Sequence, residues 1–172
     1  RLAYEELLLM QLAVQVKRLH ASTKQQALPL TVTNQIDERI RARLPFKLTH
    51  DQDQAVKEIT ADLGKDRPMC RLLQADVGAG KTAVAVYAAL VAVANRQQAA
   101  ILAPTEILAE QHHQKVCRYL EGSRVRIGYI VGGMPKRQRL ALLEQCAEGS
   151  LDLIIGTHAL LQQSVQFRSL AL

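Results

Sequence analysis

The chain contains no tryptophan, and only two phenylalanines and four tyrosines among its 172 residues. Single-stranded bases stack on aromatic side chains, so this scarcity argues against that mode of nucleic-acid binding and leaves phosphate contacts as the route to any polyanion. Cysteine is equally sparse. Cys70, Cys117 and Cys146 are odd in number and widely spaced among apolar neighbours, which predicts reduced, buried thiols rather than a disulfide framework. His113 and Cys117 stand a helical turn apart, but no Cys-x-x-Cys or second histidine pair completes a tetrahedral metal site. No run of about 18 apolar residues occurs, so no membrane partner is expected, and the N-terminus lacks the basic-then-apolar pattern of a signal peptide. The expected location is therefore cytoplasmic.

What is present is a mixed, moderately apolar composition, 48% hydrophobic, which is enough for one domain with its own core. Twenty-two Lys and Arg against sixteen Asp and Glu give a formal net charge of +6, which favours a polyanionic partner if the excess gathers on one face.

Periodicity orders the chain. From Tyr4 to Lys24 apolar residues recur at Leu8, Leu12, Val16 and Leu19, predicting one amphipathic helix whose apolar face must pack on something, with self-association as one way of covering it. Ala27 to Thr33, containing Pro29, reads as a connector. A short helix from Asn34 to Arg43 stops before Pro45, and Thr49 with Gln52 forms a capping box for a helix closing at Gly64. Strands then alternate with helices: strand Met69–Gln74, helix Thr82–Asn95, strand Ala99–Ala103, helix Glu106–Leu120, strand Val125–Val131, helix Pro135–Glu148 and strand Leu151–Ile155. Such alternation predicts an α/β fold, a parallel sheet with flanking helices, preceded by an N-terminal helical segment. Another strand is expected to begin within Phe167 to Leu172.

The segment Gln74-Ala75-Asp76-Val77-Gly78-Ala79-Gly80-Lys81-Thr82 follows a predicted strand and opens a predicted helix, the setting of a phosphate-binding loop. Gly78 and Gly80, flanking Ala79, let backbone amides of Val77 to Thr82 turn towards a phosphate without a Cβ in the way, and the helix N-terminus adds its dipole. Lys81 suits the β- and γ-phosphates, and the Thr82 hydroxyl suits Mg²⁺. Ala75 stands where the general pattern has glycine, a position that demands smallness more than positive φ.

Four segments in order resemble the superfamily 2 helicases, and within them the RecG-type ATP-dependent DNA helicases: Leu44-Pro45-Phe46-Lys47-Leu48-Thr49 with Gln52, the loop Gln74 to Thr82, Ala103-Pro104-Thr105-Glu106-Ile107-Leu108-Ala109-Glu110-Gln111-His112, and Ile155-Gly156-Thr157-His158-Ala159-Leu160. The transcription-repair coupling factor shares this frame, but has a segment closer to Pro-Thr-Thr-Leu-Leu-Ala where this chain has Pro-Thr-Glu-Ile-Leu-Ala.

The resemblance implies residues 1–33 as a linking helix and connector, and 34–172 as the first motor domain, an incomplete RecA-like P-loop fold truncated before the acidic motif. It implies ATP and Mg²⁺ as cofactors, with Lys81 and Thr82 as the catalytic pair and Thr82 as the metal ligand through the nucleotide. Gln52 would read adenine, its competing role being the capping box, with Phe46 and Leu48 lining the base. Pro104, Thr105, Gly132, Gly133, Thr157 and His158 would grip the DNA backbone, although Thr105 also suits a plain N-cap. Lys136, Arg137 and Arg139 could add phosphate contacts, or form a solvated face, the reading that clustered charges favour.

The implied parent is a bacterial enzyme acting on branched double-stranded DNA in repair and recombination, with an upstream wedge domain and a second motor domain. Hydrolysis in this class needs an Asp-Glu pair, for which Asp76, Glu106 and Asp152 are poor substitutes. These 172 residues are therefore expected to bind nucleotide without turning it over. The competing reading is a nucleotide-binding module that never touches DNA.

Overall fold

The computed structural model describes residues 2–24 and 26–172. Its order is α1 (Leu2–Lys24), α2 (Asn34–Arg41), α3 (His50–Leu63), α4 (Lys81–Ala94), β1 (Ala99–Leu102), α5 (Glu106–Tyr119), β2 (Ile127–Ile130), α6 (Lys136–Glu148) and β3 (Leu153–Gly156), with a 3₁₀ turn at His158–Leu161. No helix among the described residues is long and apolar enough to cross a membrane.

The three strands are parallel in the order β1-β3-β2, with Ala99 opposite Leu153 and Ile127 also opposite Leu153. Strand β3 enters last and takes the middle, so successive right-handed crossovers reverse direction and put α5 and α6 on opposite faces. Alternation along β3 agrees. Leu153 and Ile155 join the cluster holding Val116 of α5, Leu120 just after it and most of α4, while Ile154 joins Cys146 of α6. All four residues of β3 are buried. A central strand covered on both faces reads as an unbroken apolar run for this reason.

Helix α4 is the most buried helix: Val86, Val91 and Ala92 are 0% exposed and Tyr87 1%. Tyr87 carries a hydroxyl into this apolar setting, and the hydroxyl donates to Asp37 of α2. Arg41 of α2 donates to Asp37 at 2.7 Å and reaches Asp53 of α3. Burial, reinforced by Asp37, holds the Tyr87 hydroxyl protonated well above the ordinary tyrosine range. Asp53, then Asp37, keep the Arg41 guanidinium charged. The four side chains tie α2, α3 and α4 into one unit.

Three expectations are corrected. Met69–Gln74 forms no β-ladder, because a strand requires a partner and no described residue pairs with it; Met69 and Leu73 instead lie partly buried against the core. Cys70 belongs to this segment and is exposed, unlike buried Cys146 and half-buried Cys117. Helix α1 has no single apolar stripe: Leu7, Leu8, Leu9 and Met10 are 61%, 46%, 66% and 66% exposed, and four consecutive residues at about 100° each cover most of the circumference. Among the described residues, none of α1 enters the core clusters.

Helix ends shift little. Helix α2 ends two residues early, before the restriction that Pro45 imposes on Leu44. Gly149, at φ +76°, closes α6 in the left-handed conformation that glycine adopts without strain. Where a final strand is expected, the chain forms a single parallel bridge, Leu170 with Gln98, rather than a strand. Gln98 donates to Ser169 at 2.8 Å, Ala171 to Gln98 at 2.9 Å and Ala100 to Leu172 at 2.7 Å, extending the sheet on the free edge of β1.

Where β2 and β3 begin, Arg126 holds Asp152 through two guanidinium bonds of 2.7 and 3.0 Å and a backbone bond of 2.8 Å. Burial pushes the Asp152 carboxyl up, but the bonds from Arg126 outweigh it and leave the carboxyl below its ordinary value. A carboxyl depressed by folding stabilises above its unfolded pKa and loses that contribution as pH falls. Stability of the native chain should therefore decline as pH drops through and below about 4. In thermal melts across that range Asp152→Asn should show a shallower decline; an unchanged slope would show that this pair does not couple folding to protonation.

Candidate nucleotide-binding site

The site is built at the first turn of α4. Gly80 caps the helix at φ +80°, and Gly78 stands at φ +88°. Both are left-handed conformations that cost other residues about 1 kcal/mol. A Cβ on Gly80 would also lie 2.4 Å from Gln52 Nε2. Among the described residues, no protein group accepts the backbone amides of Gly78, Gly80, Lys81 or Thr82, whereas Ala79 N–H turns back to the Asp76 carbonyl at 3.2 Å. Unpartnered amides, a helix N-terminus and a lysine make a cationic concavity suited to a phosphate.

Lys81 Nζ donates to the carbonyls of Ala75 at 2.6 Å and Asp76 at 2.8 Å, so the ammonium is held across the loop. Ala75 has no positive φ, Arg96 being the one described non-glycine residue that does, which explains why alanine serves where the general pattern has glycine. Val77 is fully exposed at the apex of the loop.

Gln52 fills both of its structural roles at once. Its Oε1 accepts from Thr49 N–H at 3.0 Å, completing the capping box, while its Nε2 donates to the Ala79 carbonyl at 2.8 Å. A base recognised by this amide would have to share or displace those bonds. Gln52 and Lys81 line one cavity of about 290 Å³ with Leu73, Ala79 and Val84. Phe46 and Leu48 line another, of about 490 Å³, with Arg41 and Asp53, and Phe46 meets Tyr119 edge-on at 5.9 Å. The structure thus brings Gln52 to the phosphate loop but places Phe46 and Leu48 in a separate cavity.

The remaining candidates follow the C-terminal ends of the strands. Helix α4 leads back to the start of β1, so its own start lies at the same edge. Pro104 and Thr105 are exposed after β1, and Thr105 Oγ1 caps α5 by accepting from Leu108 N–H at 3.3 Å. Gly132 and Gly133 are exposed after β2, and His158 after β3. Thr157 departs from expectation. It is 1% exposed with an unpartnered hydroxyl, because the 3₁₀ turn folds over it at the end of the central strand, so as placed its side chain cannot touch a DNA backbone.

Two features were invisible in the sequence. The Glu106 carboxylate accepts from Gly133 N–H at 2.9 Å, tying the loop after β2 to the start of α5. The Asp37, Arg41, Asp53 and Tyr87 group holds α2 and α3 against the phosphate-loop helix. An acid at the start of a helix signals only complementarity to the dipole, since its partner lies 27 residues away.

The DEAD/DEAH box helicase family matches residues 49–172. The chain is 46% identical over its whole length to the ATP-dependent DNA helicase RecG of Haemophilus influenzae, covering 25% of that protein. It is 40% identical over 99% of its length to that of Aquifex aeolicus, covering 21%. It thus spans about a quarter of the length of the relatives it matches. A solved structure of RecG bound to a three-way DNA junction superposes with a TM-score of 0.89 at 38% identity, over 99% of this chain and 23% of that one. A hypothetical ATP-dependent RNA helicase from Sulfolobus tokodaii, at a TM-score of 0.54 and 19% identity, covers 75% of this chain and 35% of its own and shares the fold. The parallel strands and flanking helices are those of a RecA-like α/β fold.

The double bonding of Gln52 yields a separable test. A carboxylate at this position still accepts from Thr49 N–H but cannot donate to Ala79. Gln52→Glu should therefore leave the thermal midpoint nearly unchanged while weakening Mg²⁺-ADP affinity by about two- to tenfold. Unchanged affinity, read by titration calorimetry, would reduce Gln52 to its capping role.

Proposed function

Because the chain belongs to the DEAD/DEAH box helicase family and RecG helicases are its relatives, we propose that it forms the nucleotide-binding part of the first motor domain of an ATP-dependent DNA translocase acting on branched DNA. The observation that carries this reading is the loop from Ala75 to Thr82. Its unpartnered amides and its lysine converge at the start of a buried helix, on the same sheet edge as Thr105, Gly133 and His158.

Gln52 and the loop receive the nucleotide, with Lys81 exchanging its carbonyl partners for phosphate oxygens. Thr82 fits a magnesium ligand, since the residue is half-buried in the first turn of α4 and its hydroxyl has no protein partner among the described residues, and hard oxygen donors are what this cation takes. Bound with ATP, the ion neutralises charge on the phosphates. The ladder begun by Ser169 to Leu172 beside Gln98 to Ala100 points towards the edge where α4 starts. The 172 residues themselves bind nucleotide without turning it over.

Thr105, the Gly132-Gly133 loop and His158 take the DNA backbone. Lys136 and Arg137 are exposed at the start of α6 on the same edge and add phosphate contacts, whereas Arg139 is engaged by Gln162. A nucleotide-binding module without DNA affinity would need no such edge.

Thr105→Asp separates the readings, because aspartate caps a helix as well as threonine but sets a negative charge where a phosphate would sit. In fluorescence anisotropy with a labelled three-way junction, the native chain should bind with an affinity that falls steeply with salt. The variant should bind about tenfold more weakly at an unchanged thermal midpoint. Absence of junction binding by the native chain, or equal affinity in both, contradicts the DNA-contact assignment.

A further inference from the structure

At the opposite edge of the sheet, where α4 ends and β2 and β3 begin, lies a groove of about 500 Å³ that the nucleotide and DNA contacts leave unused. Helix α4 spans about 21 Å from Lys81 to Ala94, so the groove is set well apart from the phosphate loop. Its floor is apolar: Ile40, Leu90 and Leu120 are each largely buried, and half-buried Val93 and Val125 face the opening. Its rim carries Arg39 on α2, Arg43 in the turn behind it, and Arg124 in the loop before β2, all exposed.

None of these three arginines has an ion pair, side-chain hydrogen bond or ring contact among the described residues, whereas Arg41, Arg71 and Arg126 are all paired with carboxylates. The one acidic side chain lining the groove, Asp152, is already taken by Arg126. The rim therefore presents uncompensated guanidinium groups around an apolar slot. Guanidinium forks match carboxylates bidentately, and a slot of this size accepts one or two large apolar side chains.

We propose that this groove docks an acidic, amphipathic peptide segment of a partner protein, with apolar side chains on the floor and flanking carboxylates on Arg39, Arg43 and Arg124. Charge complementarity names the occupant, and the floor distinguishes it from DNA. A phosphate backbone would satisfy the rim but bury none of Val93 or Val125, while a carboxylate-bearing peptide satisfies both.

The test is fluorescence anisotropy of the 172-residue chain with a labelled peptide carrying a Leu-Phe pair flanked on both sides by Asp and Glu. A control peptide has the pair replaced by Ser-Ser, and a labelled DNA duplex is measured in parallel. The acidic-apolar peptide should bind, and the triple variant Arg39→Glu, Arg43→Glu, Arg124→Glu should weaken it at least about tenfold at an unchanged thermal midpoint. The Ser-Ser peptide should bind the native chain comparably weakly, and duplex affinity should be the same in native chain and variant. Undetectable peptide binding, equal binding by the triple variant, or equal binding of the Ser-Ser peptide overturns the proposal. A parallel loss of duplex affinity in the variant also overturns it, in favour of a second phosphate-binding surface.

Discussion

The burial of α4 is the constraint on which the rest depends. Its sequence from Ala83 to Ala92 is apolar on nearly every side, and only Ala85 among those residues is exposed, so it can settle only between the sheet and the α2–α3 pair. A helix enclosed in this way cannot slide or tilt without exposing large apolar surface, at about 25 cal/mol per Å². Its N-terminus is thereby fixed in position and direction, and the loop that precedes it inherits that rigidity. Small residues favour this closeness, with four alanines between Lys81 and Leu90 letting strands and neighbouring helices approach.

Polar groups then orient what burial has placed. Tyr87 carries a hydroxyl from the middle of α4 to Asp37, and Arg41 passes the connection to Asp53, next to Gln52. Gln52 in turn reaches back to the loop at Ala79. The start of α3 is thus joined to α4 twice, once through α2 to the middle of the helix and once directly to the loop before it. Glu106 joins the loops after β1 and β2 in the same manner on the neighbouring part of the edge. The phosphate loop and the loops after β1, β2 and β3 share one edge because all three strands run parallel and α4 starts where those strands end.

Much of this was legible in the residues. Gly78, Gly80, Lys81 and Thr82 announced the loop, and Thr49 with Gln52 announced the capping box, because both depend on spacing within a few positions. Strands β1 to β3 and the helices between them followed from short apolar runs bounded by turn residues. What escaped notice depended on partners far along the chain. Met69 to Gln74 has strand composition, but a ladder needs a neighbour, which composition cannot supply. Thr157 has the chemistry of a phosphate contact, but the turn that buries it is a tertiary event. Glu106 and Asp37 meet partners 27 and 50 residues away, beyond any local pattern.

The central claim, that the buried start of α4 presents a working phosphate site, is tested most directly by calorimetric titration of Mg²⁺-ADP into the chain and into its Lys81→Ala variant. The account predicts saturable binding to the native chain and a loss of about tenfold or more in the variant, as expected for removing a charged hydrogen bond to phosphate. Equal binding by the two, or none by a native chain whose folding is confirmed by its melt, would contradict it.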